Sequence, residues 1–103
     1  MSDPLKNRSP SWDDLVADAV FEAQRAMRKF PQPNYVITKF AEQSGEVVKA
    51  AVHAAEGRET ATHLRDEMRQ AIAMLYRLWV EGDQVHGLSP VGAAVIEEQR
   101  VNA

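Results

Sequence analysis

Apolar residues recur at helical spacing in three long stretches and one short one. The first stretch runs Trp12, Leu15, Val16, Ala19, Val20, Ala23, Met27 and Phe30, steps of three and four that lay one stripe along a helix. Ser9 or Ser11 can cap it, and Pro10 suits its first turn, where the missing amide hydrogen costs no hydrogen bond. Pro31-Gln32-Pro33-Asn34 then breaks the pattern, because proline donates no backbone hydrogen bond and disfavours helix in the residue before it. A second helix is predicted over about 34–56, with Ile37, Phe40, Ala41, Ser44, Val47, Val48, Ala51 and Ala55 on one face and Gly57 as its stop. A third starts near Glu59 or Thr60, carries Leu64, Met68, Ala71, Ile72, Leu75, Leu78 and Trp79, and stops at Gly82. After a loop from Asp83 to Leu88, Ser89-Pro90 reads as an N-cap and first position of a short helix bearing Val91, Ala94, Val95 and Glu98. No stretch alternates as a strand does and no repeat is visible, so the pattern predicts an all-α chain: a helical hairpin flanked by one long and one short helix.

Composition narrows the setting. The 103 residues fit one domain, 9–103, behind a loose arm at 1–8 in which Leu5 is the one large apolar side chain after the initiator. With 45% hydrophobic and 26% charged residues the chain is expected to fold. A net charge of −3 gives no general attraction for nucleic acid or an anionic membrane, so neither is expected as a partner. The absence of cysteine removes disulfides, thiolate metal sites and cysteine nucleophiles, and with no apolar leader or membrane-length run a cytoplasmic location is expected. No glycine-rich phosphate loop or Ser-His-Asp arrangement is present, which disfavours P-loop and triad enzymes.

The second and third helices are long and joined near Gly57, so they are predicted to lie antiparallel. If the turn is centred between Glu56 and Gly57, Glu46 falls opposite Glu67 and Gln43 opposite Gln70. At about 100° per residue, these four sit at the margins of the two apolar faces and can converge. Glu42 and Lys49 project further towards solvent, and Lys39 precedes Gln43 by one turn on the same polar edge.

Glu42-Gln43-Ser44-Gly45-Glu46 followed by Glu67-Met68-Arg69-Gln70 resembles the signature of the MazG-like nucleotide pyrophosphohydrolases, EExxE then ExxD. The flanking KFAEQSGEVVKA and LRDEMRQAIAMLYRLWVEGD are similar too, so the resemblance covers about 34–83. It implies a MazG-like four-helix bundle completed by oligomerisation, as a homodimer or homotetramer, and Mg²⁺-dependent cleavage of a nucleoside triphosphate to monophosphate and pyrophosphate. Carried over by motif position, the metal ligands fall on Gln43, Glu46, Glu67 and Gln70, with Glu46 and Glu67 as the catalytic carboxylates and Mg²⁺ or Mn²⁺ as the ion. Two of the four are amides here. A hard divalent cation favours anionic oxygen, so weak metal binding is expected. A catalytically inactive helical oligomer, binding nucleotide or serving as an interaction scaffold, is the alternative.

The remaining candidates have plainer readings beside them. His63 is four residues before Glu67 and near His53, which permits a histidine-carboxylate metal site, but contact with phosphate or support of Glu67 is the simpler use. His86 is read as a loop residue. Trp12 and Trp79 lie on apolar helix faces, so core or subunit-interface packing is expected ahead of stacking on a base. Arg69 and Arg77, with Lys39 and Glu42, are the groups expected around a bound phosphate, against the ordinary role of such residues as solvated, weakly paired charges.

Overall fold

A computed structural model describes residues 10–102, so the arm at 1–8 and the cap candidate Ser9 lie outside the described residues. Helix α1 spans Trp12–Lys29, α2 Val36–Ala55, α3 Ala61–Glu81 and α4 Val91–Val101, with a single 3₁₀ turn at Gln84–His86. No strand occurs among the described residues, and no helix among them is long and apolar enough to cross a membrane.

Local chemistry sets the ends. Ser11 caps α1 by accepting from the Asp14 amide at 3.0 Å, with Asp13 and Asp14 in the first turn and Arg28 and Lys29 in the last, both favourable to the helix dipole. Thr60 caps α3 by accepting from the His63 amide at 3.1 Å, which places the start of α3 at Ala61. The α4 boundary corrects the expectation at Ser89-Pro90: Pro90 itself is the N-cap, extended at ψ 121°, with no side-chain cap. Its carbonyl, not the Ser89 hydroxyl, receives the first helical amide, from Ala94 at 3.1 Å.

Helix α3 is the centre of the bundle. Helices α1, α2 and α4 each pack on it, and no other pair of described helices packs closely. The buried apolar residues are mostly small: Ala19 and Ala23 on α1, Val36 and Ala50 on α2 and Ala73 on α3, with Leu15 on α1 the one large side chain among them. Alanine at these contacts lets helix axes approach closely but buries little area per residue. Two ion pairs at matched four-residue spacing join α1 to α3, Asp18 to Arg65 at 3.0 Å and Glu22 to Arg69 at 3.0 Å.

The link after α1 is tied to the far end of α3. Arg77, 1% exposed, donates to the Phe30 carbonyl at 2.9 Å and grips Glu81 through Nε and Nη2 at 3.1 and 3.0 Å. Gln32 donates to the same Glu81 at 2.7 Å and accepts from the Asn34 and Gln84 amides. Asp83, fully buried, caps α2 from outside its own segment by accepting from the Ile37 amide at 2.9 Å, and it also accepts from the His86 amide at 3.1 Å. Burial raises the Asp83 carboxyl, but the bonds from Ile37 and His86 and the nearby imidazole outweigh it, so the group lies below its ordinary value. His86 is thus more than a loop residue, since its Nδ1 stands 3.0 Å from Asp83 Oδ2.

Of the two uses expected for the tryptophans, burial in the core of one chain is not the one found. Trp12 is 62% exposed and Trp79 54%, so neither is a core residue. Trp79 supports α4 by lying under Gly92, where an added Cβ would come within 2.7 Å of the indole Nε1. The rest of its ring is open, as are Leu75 on the same helix and Val48 and Val52 on α2.

Candidate functional site

Because α1 and α2 both lean on α3 without packing on each other, a groove runs between them with α3 as its floor. It has a volume of about 550 Å³. Glu22 and Ala26 come from α1, Lys39, Glu42, Gln43 and Glu46 from α2, and Gln70, Ala73 and Met74 from α3. The walls are mostly polar and the floor carries Ala73 and Met74 beside Gln70, an arrangement that suits a ligand with a charged part and a flat or apolar part.

Three of the four motif positions, Gln43, Glu46 and Gln70, line this groove. The fourth, Glu67, meets it through Gln43, whose side-chain amide donates to Glu67 Oε2 at 2.5 Å and to the Glu67 carbonyl at 3.3 Å. The hairpin therefore brings the four positions to one side of α2 and α3. Gln43 reaches both the carboxylate and the carbonyl of Glu67, one turn nearer the link than Gln70.

His63 stands 3.6 Å from Glu67 Oε1 and 3.9 Å from Glu59 Oε2, so it supports Glu67 from the turn before. A smaller hollow of about 330 Å³ sits beside the groove, lined by Glu46, Lys49, His53, Glu59 and His63. His53 faces Arg58 at 3.2 Å through Nε2, and a guanidinium can only donate, so that ring nitrogen accepts. Lys39 and Glu42 are exposed on the groove wall.

Arg69 and Arg77 are held elsewhere. Arg69 is buried between Glu22 and Asp66, at 3.0 and 2.9 Å, and Arg77 is buried among Phe30 and Glu81. Both set the positions of helices and neither lines the groove. Conversely, Glu22 and Met74 escaped the sequence pattern. The matched spacing of Asp18 and Glu22 with Arg65 and Arg69 was the one signal that could have laid α1 beside α3 and carried Glu22 to the site.

Among the described residues, no three histidine or carboxylate side chains converge as a ready-made metal cage. Mg²⁺ seldom uses such a cage; it is commonly held by one or two carboxylates, water and the phosphates of its ligand. Glu46 and Gln70 on the groove, with Glu67 adjoining through Gln43, offer oxygen ligands that suit that joint mode. No family model, curated protein or solved structure matches the chain.

Proposed function

We propose that this is a MazG-like protein whose groove takes a nucleoside triphosphate and, with Mg²⁺ or Mn²⁺ carried in by the phosphates, cleaves it to monophosphate and pyrophosphate. The observation that carries the reading is the meeting of Gln43, Glu46, Glu67 and Gln70, two pairs from separate helices, at the edge of one groove. Glu46 and Glu67 would hold the ion, which supplies charge neutralisation and a more acidic water when bound. Gln43 fixes the Glu67 carboxylate by its hydrogen bond, which leaves the other oxygen, Oε1, towards His63. The Ala73 and Met74 floor gives the uncharged part of the ligand an apolar seat. The open apolar face of α2 and α3, away from the groove, is the surface through which the bundle would be completed as a homodimer or homotetramer.

Pyrophosphate release from a panel of ordinary and modified triphosphates, with each metal in turn, tests the reaction. Release abolished by Glu46→Gln supports it, and silence across the panel removes it. One observation favours the second reading, a nucleotide-binding helical oligomer without catalysis: the Gln43 amide already gives Glu67 a donor where a cation would sit. Nucleotide binding without pyrophosphate release would establish that reading.

A further inference from the structure

A second hollow, of about 480 Å³, adjoins the groove and shares Glu22 and Ala26 with it. Its other lining residues are Arg25, Arg28, Lys29 and Phe30, at the end of α1. Phe30 is half exposed, and two ammonium groups stand over its ring, Lys29 Nζ at 5.5 Å from the same helix and Lys39 Nζ at 5.6 Å from α2. Lys39 also lines the groove, so the two hollows meet at this residue.

Four cations are thus gathered where the two hollows meet, two of them over the Phe30 ring, in a chain of net charge −3. Among the described residues none of the four is in an ion pair, although Arg58, Arg65, Arg69, Arg77 and Arg100 each have a carboxylate partner. Arg25 lies 5.8 Å over the Phe21 ring. Glu22, the one carboxylate lining the hollow, is occupied by Arg69 at 3.0 Å. Like charges assembled without a counter-charge repel, and a bound polyanion relieves that repulsion while the ring lets the lysines keep a favourable neighbour.

We propose that Arg25, Arg28, Lys29 and Lys39, around Phe30, form a subsite for a polyphosphate chain, able to bind it without metal. That the chain belongs to a nucleotide rests on the function proposed above; the phosphate affinity does not. The groove would then be electrically two-ended, with the carboxylates of Glu42 and Glu46 on one side of Lys39 and the cations on the other.

The test is calorimetric titration of the full chain with inorganic tripolyphosphate in EDTA, alongside ATP and dATP. Binding in EDTA that weakens steeply with added salt is expected. Lys29→Ala with Lys39→Ala should lower tripolyphosphate affinity about tenfold, a loss consistent with two exposed charge contacts, and Arg25→Ala with Arg28→Ala should do the same. Arg58→Ala with Arg100→Ala removes equal charge elsewhere and should leave affinity unchanged. Circular dichroism confirms that each variant is folded. Phe30→Leu should weaken the nucleotides more than tripolyphosphate if the ring also stacks a base; equal loss for both assigns the ligand class to inorganic polyphosphate. No tripolyphosphate binding by the wild type, or equal loss in the control pair, overturns the subsite. Binding without pyrophosphate release sinks the proposed reaction alone, and release without metal-free binding sinks the subsite alone.

Discussion

Gln43 and Glu67 are joined side chain to side chain across the α2–α3 hairpin, the carboxamide of one donating to the carboxylate of the other. A glutamate at position 43 would turn that bond into a like-charge contact. Gln43→Glu with Gln70→Asp should therefore lose about 1–2 kcal/mol of stability in chelator. Millimolar Mg²⁺ should restore it, because four carboxylates now surround the ion. Melting curves with and without Mg²⁺, read beside pyrophosphate release, decide this. A double variant that neither responds to Mg²⁺ nor gains turnover would show that these positions are no latent metal site.

Asp83 holds the start of α2 and the turn at His86 together from the α3–α4 link. Asp83→Ala should cost about 2 kcal/mol, from a lost helix cap and a buried amide left without acceptor. The pH dependence follows from the lowered carboxyl. Stability from the ionised form is present above the ordinary carboxylate range and is lost as pH falls through the lower folded-state value. Urea titrations at stepped pH should show the wild type weakening on the acid side, with that limb flatter in Asp83→Asn. Identical acid limbs would remove Asp83 from the account.

Arg77 is a buried cation whose bonds fasten the end of α1 to α3. Arg77→Met leaves Glu81, itself mostly buried, without its main counter-charge, and should cost about 3 kcal/mol or more. Lysine cannot reproduce the forked grip, so Arg77→Lys should recover only part. Denaturant unfolding measures both; a loss under 1 kcal/mol in Arg77→Met would make the pair incidental.

The helices were legible because each carries its own period and stop signals, and the hairpin pairing of Gln43, Glu46, Glu67 and Gln70 followed from two long periods joined by a short link. The bond from Gln43 to Glu67 was not, since which neighbour a glutamine side chain reaches depends on its rotamer and not on helical spacing. Nor was the groove itself. It depends on α1 lying beside α3 without packing on α2, and the only traces of that are charges at matched spacing. Whether Trp12 and Trp79 face the core of one chain was not legible either, because a stripe at helical spacing marks a face without saying what covers it, and here the described residues leave much of that face open.

That open face carries the last prediction. Val48 and Val52 on α2 are 62% and 52% exposed, and Leu75 and Trp79 on α3 about half exposed. Val48 follows Glu46 by two residues, about 200° further round the helix, so the apolar face points away from the groove. Burial of such a face between two copies offers the area that the small alanine-rich core of one chain lacks. The chain should be dimeric or tetrameric at micromolar concentration by sedimentation. Val48→Asp with Val52→Asp would place two unpaired carboxylates in the contact and should raise the dissociation constant at least about a hundredfold. Because neither side chain supports the fold of one subunit, helicity should persist in the dissociated variant. A wild type that sediments as a monomer, or a double variant that stays assembled, would show that this face is not the self-association surface.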